Sequence, residues 1–297
     1  MKSVVIYLFF YNFFTIFSWN TVSATNAWDV NFNSSGFTNQ AKLVITDCDA
    51  VNLEQEINRV LGGMKHKGVI QQPHNIANLS HVTCVDDPFM GKAINLTLFK
   101  MDDVPKHGHM QRLELKSASK SKSLVAHRDE EIIYSWWFYV DPSLTVEKQT
   151  FTIFSLKTGS LDSHNHSLAS FSLSKKLGLN LRFDLDAKNP HTTKILMLPL
   201  SAVRGAWIQA FVQVQYKKAA GFINVILKDI LGHQLFPAAN QTGIFHGDTF
   251  HSEWTSVRPK WGLSRTVSQD YHNSVYLLLQ NLQVGNQCSL FSQNGRI

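Results

Sequence analysis

The feature that most constrains the fold of this 297-residue chain is a strictly alternating run at residues 207–216, WIQAFVQVQY. Ile208, Ala210, Val212 and Val214 share one parity, and Trp207, Gln209, Phe211, Gln213 and Gln215 share the other. A side-chain period of two is that of a β-strand with one core face and one wet face. Similar short segments recur at residues 93–99, 111–116, 132–140, 151–156, 169–173, 178–185, 222–227 and 275–282. Many short strands between turn signals, with almost no helix among them, predict an all-β antiparallel sandwich or jelly roll with a concave sheet. The lack of a crossover-helix pattern between the strands argues against a parallel α/β sheet. One short N-terminal helix is expected at residues 49–62. It has Asp or Asn cap candidates, apolar residues at Leu53, Ile57, Val60 and Leu61, and Gly62-Gly63 to stop it. Residues 64–80 read as loop.

The N-terminus indicates the compartment. Lys2 precedes a nearly unbroken apolar run at residues 4–17, and Val22-Ser23-Ala24 offers small residues at a cleavable spacing. This reads as a signal peptide over residues 1–24, followed by a single secreted domain over 25–297. The run is short for a membrane span, and no basic cluster follows it. Sequons at Asn33, Asn78, Asn95, Asn165 and Asn240 suit a secreted glycoprotein. Of the three cysteines, Cys48 and Cys84 could bridge and leave Cys288 over, though spacing alone does not fix the pairing. Hydrophobic residues are 44% of the chain and charged residues 17%, which excludes intrinsic disorder. The formal net charge of +6 favours anionic partners. Secretion points that charge toward acidic polysaccharide. Nucleic acid and membrane are not expected as partners, and the mature chain is expected to be a monomer.

Two segments carry the candidate chemistry. In KHGHMQRLELK, residues 106–116, a strand puts Arg112, Glu114 and Lys116 on one face. Two cations around a carboxylate form an anion site, in which Glu114 could hold Arg112 while the guanidinium fork meets a substrate carboxylate. The plainer reading is a surface charge ladder. In RPKWGLSR, residues 258–265, a strand puts Lys260, Gly262 and Ser264 on one face, with Gly262 leaving room for a ligand. The plainer reading is a strand anchored by Trp261. Gln209 and Gln213 add amides of the kind that bind sugar hydroxyls, or else they simply face solvent.

In order along the chain stand Gly91-Lys92-Ala93-Ile94-Asn95-Leu96, Gln111-Arg112-Leu113-Glu114-Leu115, Tyr134-Ser135-Trp136-Trp137-Phe138, Trp207 and Lys260-Trp261-Gly262-Leu263-Ser264-Arg265. This series resembles the jelly-roll polysaccharide lyases of the heparin lyase and glucuronan lyase type, which have a concanavalin A-like sandwich. The resemblance covers roughly residues 85–285 and rests on an Arg-x-Glu-Leu strand and a Lys-x-Gly-x-Tyr-Arg strand. It implies a groove for uronate polymers and cleavage by β-elimination, with a structural calcium ion in some members. Such chemistry needs a group that neutralises the uronate carboxylate, so that the C5 proton becomes acidic, and a group that moves that proton. The resemblance suggests Arg112 and Lys260 for charge stabilisation. Glu114, Lys116, Gln209, Gln213, Lys157, Ser264 and Arg265 would bind substrate. Two departures stand out. Ser264 occupies the tyrosine position, and Lys157, in Ser155-Leu156-Lys157, occupies the position of the histidine in Gln-x-His. His109 and Tyr271 are the candidates to replace them, with His107, His164 and His166 nearby in sequence. The expected function is a secreted lyase acting on an anionic uronate polymer. The alternative is a catalytically silent, lectin-like module for acidic glycans.

Other patterns rank lower. His107-x-His109 and His164-x-His166 lack a third zinc ligand at local spacing, so no metal site is assigned. Asp184, Asp186 and Asn189 form an oxygen-rich turn that suits either calcium or a capped turn. No Glu-x-Asp-x-Glu strand, Gly-x-Ser-x-Gly elbow or phosphate loop is present.

Overall fold

The alternating segments become strands, and every strand pair is antiparallel. The computed structural model describes residues 41–45, 48, 53–62, 69–73, 78–100, 102, 110–118, 124–146, 150–160, 167–185, 193–266 and 273–286. The elements begin with β1 (Ala41–Ile45), α1 (Leu53–Val60), β2 (Ile70–Gln71), β3 (Val82–Asp87), β4 (Gly91–Leu98), β5 (Met110–Lys116), β6 (Glu131–Val140), β7 (Phe151–Ser160) and β8 (Ser167–Ser174). They continue with β9 (Gly178–Phe183), β10 (Thr193–Leu198), α2 (Leu200–Val203), β11 (Trp207–Gln215), β12 (Gly221–Lys228), β13 (Gln234–Phe236), β14 (Ile244–Gly247), β15 (Trp254–Thr266) and β16 (Val275–Asn286).

The strands form two sheets. The nine-stranded sheet runs β13-β12-β11-β6-β16-β4-β3, with β1 beside β16 and β14 beside β12. The seven-stranded sheet runs β10-β9-β8-β7-β15-β5-β2. Strand neighbours are mostly distant in sequence, as in β6 between β11 and β16. This is the all-β sandwich of jelly-roll type that the alternation predicts.

Parity decides which face is dry. Ile208, Ala210, Val212 and Val214 are fully buried on β11, and Ile223, Val225 and Leu227 match them on β12. From the other sheet come Leu113 and Leu115, Leu156, Phe171, Leu179 and Leu181, and Trp261 and Leu263. The centre of the core is an aromatic layer. Trp136 of β6 lies 4.3 Å from Phe154 of β7, 5.6 Å from Phe171 of β8 and 6.4 Å from Trp261 of β15, between ring centroids. Tilted and edge contacts of this kind stabilise beyond area burial by roughly 0.5–1.5 kcal/mol each. They also fix the three central strands of the seven-stranded sheet against its partner. Tyr134 and Tyr216 share a hydrogen bond at 2.8 Å within the core, and burial pushes both phenols up.

The predicted helix is α1. It buries Leu53 and Ile57 and ends at Gly62, where φ is +81°. Cys48 and Cys84 form a disulfide that ties the segment before α1 to β3. Closing a loop of 36 residues stabilises by roughly 3–4 kcal/mol in the chain-entropy account. Cys288 lies outside the described residues, as do residues 1–24. Of the sequons, Asn78 and Asn240 are exposed and Asn95 is half-buried on β4, while Asn33 and Asn165 lie outside the described residues. No described helix is long and apolar enough to cross a membrane. The segment read as loop at residues 64–80 contains β2, a two-residue strand too short to leave a pattern. β10, β13, β14 and the one-turn α2 also went unanticipated.

Trp136→Ala should lower the free energy of unfolding by about 3–5 kcal/mol, because it leaves a large cavity under three strands. Urea denaturation followed by circular dichroism would measure this.

Candidate functional site

Cross-strand register builds the site on the outer face of the seven-stranded sheet. Lys260 of β15 stands opposite Lys116 of β5 on one side and Ser155 of β7 on the other. Ser155 pairs with Ser170 of β8, and Ser170 with Arg182 of β9. Lys116, Lys260, Ser155, Ser170 and Arg182 therefore form one row across five strands, roughly 19 Å long at the usual strand spacing. A second row holds Arg258, Lys157 and Ser167. A third brings Arg112 against Ser264 and Thr152. These side chains line a groove of roughly 540 Å³, together with Gln71, Met110, Glu114, Phe183 and Asp184.

Its electrostatics are one-sided. Arg112, Lys116, Lys157, Arg182, Arg258 and Lys260 face Glu114 and Asp184. The Lys260 Nζ donates to Glu114 Oε2 at 2.8 Å, with both side chains nearly excluded from water. Lys116 Nζ donates to Gln71 Oε1 at 3.3 Å. Among the described residues, Arg112, Lys157 and Arg258 form no ion pair. Burial, then the Lys260 ammonium, hold the Lys157 pKa below the ordinary lysine value, and Glu114 opposes the shift only in part. Lys116 is lowered likewise, by burial first and then by Lys260 and Arg258.

Comparison with known proteins was made at two levels. No family model matches the sequence, and no curated protein matches it. In structure the chain is similar to an endo-β-1,4-glucuronan lyase from the fungus Trichoderma reesei. That match has a TM-score of 0.53 and 12% identity, over 75% of this chain and 92% of that one. It is also similar to a family 7 alginate lyase solved with product, at a TM-score of 0.51 and 8% identity, over 71% and 85% of the two chains.

The chain has the jelly-roll fold of these polysaccharide lyases. At such identities the likeness is one of fold, and the groove must be read from its own residues. Of the residues singled out in the sequence, Arg112, Glu114, Lys116, Lys157, Lys260 and Ser264 line this one groove. Four expectations change. Glu114 pairs with Lys260 rather than with Arg112, because Arg112 sits one step further along β5, opposite Ser264. Gln209 and Gln213 lie on the other sheet, outside the groove, and Gln213 accepts from Asn224 and donates to Glu131. Arg265 has the opposite parity to Ser264 and is 2% exposed. Its Nε donates to Gln111 Oε1 at 2.6 Å and its Nη1 to the Asn273 carbonyl at 3.0 Å. Gly262 does not make room for ligand. A Cβ there would lie 2.1 Å from the Leu113 carbonyl oxygen, so the glycine lets β5 approach β15.

His109 and Tyr271 lie outside the described residues, as do His107, His164, His166, Asp186 and Asn189. Of the oxygen-rich turn only Asp184 is described, on the groove wall. Among the described residues no group of three or more metal-ligating side chains is assembled. Arg182 and Arg258 were not singled out in the sequence. Arg182 could have been found from the alternation of LNLRF, which sets it opposite Leu179 and Leu181 in parity.

Removing one member of the buried pair strands the other. Glu114→Ala should destabilise the protein by about 3–5 kcal/mol, and the double change Glu114→Leu, Lys260→Met should recover most of that loss. A double-mutant cycle by chemical denaturation would test both.

Proposed function

We propose that this chain is a secreted polysaccharide lyase that cleaves an anionic, uronate-containing polymer by β-elimination in the groove of the seven-stranded sheet. The observation that carries the reading is the convergence of the basic side chains at residues 112, 116, 157, 182, 258 and 260 on one face of a lyase-like fold. A groove so charged attracts polyanions and aligns their carboxylates with fixed cations. Arg112 is exposed and free to take a carboxylate with its guanidinium fork. Neutralising that carboxylate acidifies the adjacent C5 proton and stabilises the enolate as it forms. Lys260 is held by Glu114 between Lys116 and Ser155 in the row, where it adds positive potential without mobility. Lys116, Arg182 and Arg258 extend the cationic track and hold neighbouring uronates, and Ser264 lies beside Arg112 as a hydroxyl for the sugar. The substrate is an extracellular acidic polysaccharide, and the acting form is the monomer.

One observation favours a second reading. Among the described residues lining the groove there is neither tyrosine nor histidine. A catalytically silent module for acidic glycans would have the same track and no turnover.

Each elimination creates a C4=C5 double bond conjugated to a carboxyl group, which absorbs in the ultraviolet. Absorbance should rise with time on at least one of glucuronan, alginate, pectate, heparan sulphate and chondroitin sulphate. Arg112→Ala should cut kcat by about 100- to 1,000-fold, the usual effect of losing one oxyanion-stabilising donor. A flat trace with every polymer, from folded protein that binds one of them in a salt-sensitive manner, would establish the silent module instead.

A further inference from the structure

Lys157 lines the groove in surroundings that disfavour its charge, and among the described residues its nitrogen has no hydrogen-bond or ion-pair partner. Lys157 projects from β7, the central strand under the groove, between Arg258 of β15 and Ser167 of β8. Among the described residues it makes no hydrogen bond or ion pair. Its chain is half-buried, over the aromatic layer that fixes β7. Its neighbour β8 offers only Ser167 and Ser170, while β15 brings Arg258 and Lys260, β5 brings Arg112 and Lys116, and β9 brings Arg182 to the same groove. Against these stand Asp184 on the groove wall and Glu114, which is committed to Lys260 at 2.8 Å. Burial and like charge both favour the neutral amine. The shift in Lys157 follows that direction. Lys116 shares the direction, but its ammonium is tied to Gln71 on the edge strand.

Resting on the lyase reading above, the geometry points to Lys157 as the residue that both removes the C5 proton and returns it to the leaving oxygen, which restricts the substrate to 4-linked glucuronate or mannuronate units. The neutral Nζ takes the proton from C5: the C5–H bond breaks and an N–H bond forms. The electron pair moves into the neutralised carboxyl group as an enolate. Collapse of the enolate forms the C4=C5 double bond and breaks the C4–O bond. The new ammonium protonates the departing oxygen and is again neutral, so that no other acid is consumed. A single amine can do both only if the C5–H and C4–O bonds lie on the same face of the ring. They do so in glucuronate and mannuronate. They lie on opposite faces in galacturonate, guluronate and iduronate.

The test uses the full chain and two readouts. Reductive methylation with ¹³C-labelled formaldehyde, followed by nuclear magnetic resonance titration, reads each lysine directly, and Lys157→Arg assigns the signal. The expected result is a Lys157 resonance that titrates below the exposed lysines. In turnover, glucuronan and polymannuronate should give the ultraviolet product, while polyguluronate and pectate should not. Lys157→Arg should keep polymer binding within about threefold yet lose about 100- to 10,000-fold in kcat, the range for general acid–base groups. The kcat of the wild type should rise with pH through the Lys157 titration. A Lys157 signal at or above the exposed lysines overturns the assignment, as does turnover that survives in Lys157→Arg or is confined to the opposite-face polymers. If Lys157 titrates low and no polymer is cleaved, the lyase reading itself falls and takes this role with it.

Discussion

The site depends on one close contact, between β5 and β15. Lys260 and Glu114 meet across this seam at 2.8 Å, nearly out of water. Such a pair adds little stability over an apolar pair, because desolvation offsets much of the attraction. Its value is in register. Breaking either partner leaves a bare charge, so a slip of β5 against β15 is penalised at the point where the groove is assembled. Gly262 belongs to the same constraint: the seam can close only where no Cβ stands between the Leu113 carbonyl and β15. With the register fixed, Lys116 comes opposite Lys260, and Arg112 opposite Ser264. The row of basic side chains follows from that alignment.

The two sheets use their outer faces differently. The nine-stranded sheet turns Trp137, Tyr139, Trp207 and Tyr276 outward in a cluster of partly or largely buried rings. The seven-stranded sheet turns outward cations and serines. The core beneath both is the same aromatic and aliphatic layer, and Trp136 links them. Arg265 shows how the groove is kept in place at one end. Its guanidinium binds Gln111, whose amide donates to the Asp102 carbonyl, and Asp102 in turn receives the His81 ring at 2.9 Å. This buried chain of polar contacts anchors the start of β5, two residues from Arg112.

Much of the fold was legible because alternation is a local property. The predicted strand at residues 207–216 became β11, and 132–140 became β6, each within a residue of its bounds. The strand read at residues 258–265 became part of β15, a 13-residue strand in the interior of its sheet that includes Pro259 and Gly262. β2, β13 and β14 are too short to show a period. At the site, Arg112, Glu114 and Lys116 were legible as one charged strand face, and Lys260 as the cation on a face it shares with Gly262 and Ser264. Arg182 was overlooked because it is the only charge on its strand, although the alternation of LNLRF already set it on the face opposite Leu179 and Leu181.

The sequence by itself determined that the chain makes short strands with one dry face, and that Arg112, Glu114 and Lys116 share one face of one of them. Periodicity is written into each segment, so no partner is needed to read it. Which strands lie side by side was decided only in three dimensions. Lys157 and Lys260 are far apart in the chain, yet they occupy neighbouring strands because β7 pairs with β15. Gln209 and Gln213 have the right chemistry for sugar, but their strand went to the other sheet. Side-chain parity sets what a strand can offer, and the pairing of sheets sets what it faces.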